Sequence, residues 1–560
     1  MSTKLLAVAL ALAALLPAQV PPDAEIRKIL AQRIDEYRQS VGIVVGVIDS
    51  KGRRIVSYGA LEKGDPRPLN GDTVFEIGSI TKAFTGLLLA DMAQHGELAI
   101  TDPVAKYLPA EVKVPQRGGK QIRLEDLATH TSGLPRLPSN LKPKDPANPY
   151  ADYTVEQMYQ FISTYELPRD IDSHFEYSNL GFGLLGHALA RRAGVSYEAL
   201  VASRIAKPLG MNSTAITLTP EMKSRLAVGH NEKLERVSNW DLPTMAGAGA
   251  LRSTANDMLN FLAAALGYTE TPLAPAFTRM LSVRRPAGAG MESALGWQIF
   301  SRDGADLVWK DGGTGGYGTF IGYDSKTRAG VVVLANSFVT SGALTGVDDI
   351  GQHLLNAAFP LNQPPKQHTE TSVDPKIFDR YTGLYQAGPQ MTIAITREGE
   401  HLYAQATGQI RFELFPENEK DYFAKIADIS VTFQTDAQGK ANAMVLHQGG
   451  GAVTIHRADG EAPPAPKQHK EVAVDPKLLD GYVGRYQFAP GVTLTISREG
   501  DALFAQLTGQ EKFPIFPEGA KEYFFKVVDA QVTFETDAQG RATALILHQN
   551  GVEQQAKRME

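Results

Sequence analysis

The sequence predicts an α/β (α+β) domain with a large helical insertion, followed by two small all-β domains. Two observations predict this: strand-like apolar runs at both ends of the first part of the chain, and a tandem duplication in the rest. The chain has 560 residues, and at about 150 residues per domain three or four domains are expected. A composition of 43% hydrophobic and 21% charged residues excludes collagen, coiled coils and disorder.

The first part of the chain contains strands that are predicted to be buried on both faces. Residues 44–48 and 331–334 are uninterrupted apolar runs bounded by polar residues or glycine, as in strands covered on both sides. Between them, apolar residues at three- and four-residue spacing predict helices over 83–94, 180–193 and 255–265. The first and last strands therefore come from opposite ends of this part, with helices inserted between them.

The last part of the chain consists of two copies of one unit. Residues 433–439 recur as 534–540, and every such match is offset by 101 positions without insertion or deletion. Apolar and polar residues alternate within each copy, for example over 391–396, which is the period of a strand with one buried face. Frequent turn residues then favour a small barrel or sandwich. The predicted domains are 25–360, 366–458 and 467–558.

Residues 1–18 have the pattern of a secretory signal peptide. Lys4 precedes an apolar run over 5–16, which is shorter than the ~20 residues of a membrane-spanning helix. An uncleaved anchor is the alternative. We expect a periplasmic or secreted protein with no stable membrane span after cleavage. The sequence contains no cysteine, which excludes a lipoprotein anchor, disulfides and thiolate metal ligands.

Several classes of partner and cofactor have no basis in the sequence. The formal net charge is −6, whereas nucleic-acid-binding proteins usually carry a basic surface. The charge therefore gives no indication of a nucleic-acid partner. There is no His-Glu-x-x-His, no phosphate loop and no dinucleotide fingerprint placed after a strand, so neither a metal nor another cofactor is expected. The absence of Gly-x-Ser-x-Gly argues against an α/β-hydrolase. The expected partner is a small-molecule or peptide substrate.

The Ser-x-x-Lys motif of Ser79 and Lys82 is the candidate catalytic centre. A second such motif, Ser139 to Lys142, lies among prolines, where no helix can hold the pair in register. Ser79 instead opens a predicted helix, on which residues three apart share a face, so the Lys82 amine can reach the Ser79 hydroxyl. A desolvated lysine can lose its proton and activate such a hydroxyl for nucleophilic attack.

Two further motifs each have a structural and a functional interpretation. Tyr177-Ser178-Asn179 precedes a predicted helix. Ser178 or Asn179 could cap this helix, or Tyr177 could shuttle protons while Asn179 contacts a substrate amide. Residues 310–316 read Lys-Asp-Gly-Gly-Thr-Gly-Gly, which is either a glycine-rich turn or a strand whose bare backbone lets a substrate lie against it.

With these motifs in this order, the chain resembles the serine β-lactamase and penicillin-binding enzymes, most closely their class C branch. That family joins a Ser-x-x-Lys helix, a Tyr-x-Asn loop and a Lys-Thr-Gly strand. The resemblance spans roughly 25–360 and implies a central antiparallel sheet with a helical lobe. Supporting stretches are residues 75–78, 130–134, 208–211, 248–255 and 296–297.

The resemblance implies a role for each catalytic residue. Ser79 would be the acylated nucleophile, Lys82 its base or base partner, and Tyr177 the relay of a proton to the leaving group. Lys310 would lower the pKa of Tyr177 and attract a substrate carboxylate. Water would then hydrolyse the acyl-enzyme, and no cofactor is needed.

The resemblance also implies the substrate-binding groups. Asn179 would hold the amide of the substrate side chain. Gly312 and Gly313 would lie along the substrate, and the backbone N–H groups of Ser79 and Gly313 would form an oxyanion hole. Such a donor contributes about 3–4 kcal/mol to catalysis in comparable sites.

The chain departs from the family pattern in its third motif. Asp311 replaces the hydroxyl residue that helps to bind a β-lactam carboxylate, and a carboxylate there would repel an anionic substrate unless it points away or is protonated. Residues 337–344 contain no Lys or Arg that could compensate. Both features argue against a dedicated penicillinase and leave room for an esterase, amidase or peptidase.

The duplicated tail narrows the expected substrate. Its layout is similar to that of bacterial D-aminopeptidases, in which small eight-stranded, lipocalin-like barrels follow the catalytic domain. We therefore expect an exported serine hydrolase acting through a Ser79 acyl-enzyme on peptides or amides with D-amino acids. The alternatives are a class C-type β-lactamase, a small-ester carboxylesterase, and a β-lactam-binding sensor that is acylated without turnover; the presence of Tyr177 and Lys310 argues against the sensor.

Overall fold

A computed structural model describes the chain as two compact units, the first ending at Pro364 and the second containing the duplicated tail. The predicted signal peptide 1–18 lies outside the described residues. The structure describes residues 20–288, 290–302, 304–339, 344, 346–364, 368–388, 391–407, 409, 411–426, 429–448, 451–458, 469–489, 492–507, 512–526, 530–549 and 552–559.

An eight-stranded antiparallel sheet forms the centre of the first unit, as the family resemblance implies. In spatial order its strands are β2 (Gly52–Gly59), β1 (Gly42–Asp49), β12 (Ala329–Ala335), β11 (Gly318–Asp324), β10 (Ala305–Gly313), β9 (Gln298–Arg302), β8 (Met291–Ser293) and β7 (Arg285–Gly288). Two short ribbons pair β3 (Phe75–Glu76) with β6 (Arg252–Ser253) and β4 (Gln116–Arg117) with β5 (Lys120–Gln121).

Helices surround this sheet, and the three predicted ones are confirmed. They correspond to α2, α5 and α9, and α9 has the predicted bounds. The α-helices described in the first unit are α1 (Asp23–Ala31), α2 (Thr81–Gln94), α3 (Leu124–Ala128), α4 (Val155–Thr164), α5 (Asn179–Ala193), α6 (Tyr197–Val201), α7 (Pro220–Ser224), α8 (Ala246–Gly249), α9 (Ala255–Ala265), α10 (Ala274–Met280) and α11 (Asp348–Leu355).

The central strands β1 and β12 show why the two apolar runs are continuous. They are neighbours, with Ile43 opposite Ala335, although they come from opposite ends of the unit. Alternate residues of a strand point to opposite faces. Val44 therefore packs into the core on the α9 side, whereas Val45 packs into the core formed with α1 and α11. Because both faces are covered, neither strand has a polar side.

The second unit contains two closed eight-stranded barrels, which settles the choice between barrel and sandwich. The first consists of β13 (Gly383–Gly388), β14 (Met391–Glu398), β15 (His401–Ala406), β16 (Phe412–Pro416), β17 (Asp421–Phe423), β18 (Ile429–Thr435), β19 (Ala441–Gln448) and β20 (Gly451–Ala458). The second consists of β21 (Gly484–Ala489), β22 (Val492–Glu499), β23 (Ala502–Leu507), β24 (Lys512–Pro517), β25 (Glu522–Phe525), β26 (Ala530–Thr536), β27 (Ala542–Gln549) and β28 (Val552–Arg558). The helix α12 (Pro476–Tyr482) precedes it in the chain.

Stacked aromatic rings fill the same place in both barrels. Tyr381 stacks on Phe433 with ring centroids 4.2 Å apart, and Tyr482 stacks on Phe534 at 4.5 Å. This repeated packing is consistent with the ungapped 101-residue offset, because an insertion in either copy would shift the register of its strands. Burial in β14 does not follow the predicted alternation: Ile393, Ala394 and Ile395 are all buried, and Met391 at its start is 48% exposed.

The strand β10 lies against the turn that carries Ser79. A methyl group on Gly312 would overlap the Ile77 carbonyl oxygen, and it would lie 2.5 Å from Thr319 Oγ1 and 3.1 Å from the Ser79 nitrogen. Backbone therefore packs directly on backbone here, which only glycine permits.

We predict that Gly312→Ala reduces kcat/KM by at least tenfold, because the added methyl group must push β10 away from the Ser79 turn. The effect is measured by steady-state kinetics with an ester that the wild type hydrolyses. Thermal unfolding shows whether the variant is still folded. Gly388→Ala in β13 is the control, since its methyl group would have only an ordinary contact, 3.9 Å from Met391 Cβ. Unchanged activity in Gly312→Ala would contradict the close packing.

Candidate active site

Ser79 lies on a short 3-10 turn, Gly78–Ile80, that leads into α2. Gly78 has a φ of 48°, and a Cβ atom there would lie 2.8 Å from the nitrogen and the oxygen of Gly313. The turn thus needs glycine both for its backbone conformation and for its approach to β10. Ser79 itself is half-buried, whereas Gly78 and Ile80 on either side of it are buried.

Lys82 is fully buried and makes three hydrogen bonds through its amine. Nζ donates to Ser79 Oγ at 2.9 Å, to Asn179 Oδ1 at 2.8 Å and to the Ala248 carbonyl oxygen at 2.7 Å. Burial is the main reason that the pKa of Lys82 falls to about 8, and the charge on Lys310 lowers it further while Tyr177 opposes the shift. A substantial neutral fraction of this amine is therefore available near pH 8 as a proton acceptor.

Tyr177 approaches the same serine from the loop before α5. Its hydroxyl donates to Ser79 Oγ at 2.7 Å, and the amines of Lys82 and Lys310 lie 4.8 and 5.2 Å from its ring centroid. Burial raises the pKa of Tyr177, but the charges of Lys310 and Lys82 outweigh it, so the net pKa lies below its ordinary value. The hydroxyl can therefore lose and regain a proton more readily than an isolated tyrosine.

Lys310 and Asp311 form an ion pair beside Tyr177. Lys310 is 2% exposed, and its Nζ lies 3.0 Å from Asp311 Oδ1. Burial lowers the pKa of Lys310, but Asp311 and Tyr177 more than reverse this. Burial likewise raises the pKa of Asp311, and Lys310 brings it below its ordinary value. Asp311 is therefore ionised, and its carboxylate faces Lys310. It is neither protonated nor turned away from the site, the two conditions under which it would not repel an anionic substrate.

The predicted binding groups lie on two sides of the serine. Asn179 is the first residue of α5, and because its Oδ1 accepts from Lys82, its amide NH₂ is the group turned to other partners. On the other side, the backbone of Gly312 and Gly313 packs on the Ser79 turn. The structure thus brings all the predicted site residues together around Ser79. Ser178 also caps α5, accepting from Gly181 N at 2.8 Å, so the structural and functional interpretations of this motif coexist.

His130 belongs to this site, although the sequence assigned it no chemical role. It is buried, has a φ of 62° and stacks on the Tyr177 ring with centroids 4.5 Å apart. Its Nδ1 accepts from the Ser178 N–H at 3.0 Å, and its carbonyl oxygen accepts from Glu176 N at 2.8 Å. Burial holds the pKa of His130 well below its usual range, so the ring stays neutral and can accept this bond.

Arg136 is a second residue that sequence reasoning missed. It is exposed, and its guanidinium lies 5.1 Å from the centroid of the Tyr177 ring. Its carbonyl oxygen accepts from the Asn179 N–H at 3.0 Å. Arg136 therefore lies next to both Tyr177 and Asn179. The sequence signal was its position just after 130–134, a stretch that resembles the family.

Among the described residues, no group of three or more His, Asp and Glu side chains is arranged to hold a metal ion. No helix in the described part of the chain is both long and apolar enough to cross a membrane.

Comparison with known proteins agrees with this geometry. The family model described as Beta-lactamase matches residues 30–351. The chain belongs to the beta-lactamase family. The tail matches a second model twice, over 367–460 and 468–559, which is described as a domain of unknown function (DUF3471). Within this family the Ser-x-x-Lys site makes the chain a serine hydrolase.

Three relatives of this beta-lactamase-family chain are informative. D-alanyl-D-alanine-carboxypeptidase/endopeptidase AmpH of Escherichia coli (strain K12) is 32% identical over 55% of this chain and 81% of that protein. Penicillin-binding protein 4* of Bacillus subtilis (strain 168) is 27% identical over 70% of this chain and 90% of that protein. The structure of a beta-lactamase/D-alanine carboxypeptidase from Yersinia pestis has a TM-score of 0.53 at 27% identity, covering 60% of this chain and 98% of that one.

The lowered pKa of Lys82 predicts a pH dependence of acylation. If neutral Lys82 accepts the Ser79 proton, kcat/KM rises about tenfold per pH unit up to pH 8 and levels off above it, because the neutral fraction follows the pKa. Lys82→Met should remove this limb together with most of the activity. Lys142→Met, in the exposed second Ser-x-x-Lys, should leave the profile intact. A flat profile between pH 6 and 9 would show that another group is the base.

The stacking of His130 predicts a positioning role. His130→Phe keeps an aromatic ring but leaves the Ser178 N–H without its acceptor, which costs about 1–3 kcal/mol. We expect kcat to fall about tenfold with little change in KM, because the Tyr177 loop loses its support. His174→Phe, at an exposed position of the same loop, should retain wild-type kinetics. Equal kinetics for both variants would rule out this role.

Proposed function

We propose that this serine hydrolase works through an acyl-enzyme on Ser79, acting on peptides or amides that contain D-amino acids. The observation that carries this is the meeting of two proton carriers on one nucleophile, since both Lys82 and Tyr177 contact Ser79 Oγ. A hydroxyl held by a base and a proton relay is arranged for acyl transfer.

The contacts support the following sequence of steps. Neutral Lys82, alone or together with Tyr177, accepts the Ser79 proton while Oγ attacks the substrate carbonyl carbon. The N–H groups of Ser79 and Gly313 stabilise the oxyanion, and Tyr177 delivers a proton to the leaving nitrogen as the C–N bond breaks. A water molecule then attacks the ester carbonyl, giving up its proton to the same groups, and Ser79 regains its hydrogen as the acid product leaves.

Two observations favour D-amino acid substrates. AmpH is named a D-alanyl-D-alanine-carboxypeptidase/endopeptidase, and the Yersinia pestis enzyme a beta-lactamase/D-alanine carboxypeptidase. The two barrels after the catalytic unit also match the layout of D-aminopeptidases, which is an argument from analogy. Class C-type β-lactam hydrolysis is the second candidate, because the family model itself is named for it, but the ionised Asp311 opposes an anionic β-lactam.

We also propose the predicted organisation of the chain. In it, 1–18 is a signal peptide for export to the periplasm or the medium, 25–360 is the hydrolase domain, and 366–458 and 467–558 are the two barrels. The family matches over 30–351, 367–460 and 468–559 support the last three domains, and their ends differ from the proposed ones by one to nine residues.

The purified full chain should be offered a D-alanine amide, a D-Ala-D-Ala peptide, a p-nitrophenyl ester and nitrocefin. We expect the D-amino acid substrates to have the highest kcat/KM, and Ser79→Ala to lose at least about 10³-fold in kcat. Ser139→Ala, the exposed serine of the second Ser-x-x-Lys, is the matched control and should behave as wild type.

Each contrary result identifies a different error. Equal turnover by wild type and Ser79→Ala would refute the acyl-enzyme. Rapid hydrolysis of nitrocefin alone would make the protein a β-lactamase. Labelling by a fluorescent penicillin without turnover of any substrate would make it a sensor.

A further inference from the structure

The ion pair between Lys310 and Asp311 affects which part of a substrate can carry a negative charge. Asp311 stands between Lys310 and Gly312 on β10, next to the glycine that packs on the Ser79 turn. Its side chain is 47% exposed, whereas that of Lys310 is 3% exposed. A group that approaches Lys310 from solvent therefore meets the Asp311 carboxylate.

Asp311 neutralises the positive charge of Lys310, which would otherwise attract a substrate carboxylate. In the family pattern, the third-motif lysine and its neighbouring hydroxyl face the carboxylate of a β-lactam, which sits beside the leaving nitrogen. Here the lysine amine is engaged by Asp311 at 3.0 Å, so the two side chains together carry no net charge. A second carboxylate placed there would lose hydration without gaining a free cation.

A neighbouring acid strengthens this effect. Asp348 begins α11, and its pKa is raised to about 6 by burial first and by the charge of Asp311 second. The two carboxyl groups thus lie close enough to repel each other. Asp348 therefore adds acidic character near Asp311 and nothing that would attract a substrate carboxylate.

Arg136 is a further cation near Tyr177. It is exposed, its guanidinium lies 5.1 Å from the centroid of the Tyr177 ring, and its carbonyl oxygen accepts from the Asn179 N–H. The family resemblance assigns Asn179 to the amide of the substrate side chain. The ion pair of Asp311 is instead with Lys310, the cation that the resemblance assigns to a substrate carboxylate.

We infer that Asp311 is a specificity-determining residue that selects substrates without a free carboxylate on the leaving group. Amides, esters and internal peptide bonds would then be cleaved in preference to a C-terminal D-amino acid. This rests on the proposed function and goes beyond it, because it specifies which D-amino acid derivatives are cleaved.

The test compares two substrates that differ only in the relevant charge: N-acetyl-L-Lys-D-Ala-D-Ala and its C-terminal carboxamide. We expect the wild type to have a kcat/KM for the carboxamide that is roughly tenfold higher or more. Asp311→Asn keeps an oxygen acceptor for Lys310 but removes the charge, and Asp311→Thr restores the family hydroxyl. Both should lower the carboxamide preference about tenfold, mainly by raising the rate with the acid.

Asp23→Asn is the charge-matched control. Asp23 forms an ion pair with Arg54 at 2.7 Å and has a side chain that is 57% exposed, so its replacement changes net charge equally and should leave the preference unchanged. A wild type that prefers the free acid, or a preference that persists in both Asp311 variants, would overturn the inference. If the Asp311 variants do not fold, the wild-type preference still decides it.

A second substrate pair separates this inference from the proposed function. If neither peptide is cleaved, the D-peptide assignment fails, and 5-acetoxy-2-nitrobenzoate is then compared with its methyl ester. These esters carry the same acyl group and differ in the charge of the leaving phenol. Faster cleavage of the methyl ester by the wild type, with the difference reduced in Asp311→Asn, would support the inference alone; equal rates would overturn it.

Discussion

The burial of one amine organises the catalytic unit. Lys82 has no exposed surface and donates to Ser79, Asn179 and Ala248, which come from the Ser79 turn, α5 and α8. A buried ammonium is tolerated only when its donors are satisfied, and burial still favours its neutral form. Burial is therefore what lowers the pKa of Lys82, whereas the three bonds satisfy its donors and hold the amine against Ser79.

The charged groups around Tyr177 determine the electrostatics of the rest of the site. Lys82 and Lys310 lower the pKa of Tyr177 against the effect of burial, and Asp311 compensates Lys310. A hydroxyl residue in place of Asp311 would leave a buried cation free for an anionic substrate. This pairing keeps the electrostatic support for Tyr177 and removes the attraction for a carboxylate.

Much of the fold was predictable because its signals are local or repeated. The apolar runs of β1 and β12, the helix over 255–265 and the 101-residue offset each depend on residues that are close in sequence or occur twice. Ser79 and Lys82 were accessible for the same reason, since one helical turn joins them. His130 was not, because it acts through a left-handed backbone conformation and a stacking contact. Asp311 was recognisable as a departure from the family motif, but the ion pair that its carboxylate forms with Lys310 was not.

If burial makes Lys82 a base near neutral pH, its amine must titrate in that range. NMR titration of the full chain with ¹³C-labelled lysine side chains, with the Lys82 signal assigned by its loss in Lys82→Arg, measures this most directly. We predict that this signal titrates with a pKa near 8. A value near 10.5, the ordinary pKa of a lysine amine, would mean that the lysine stays charged at neutral pH and that another group must accept the Ser79 proton.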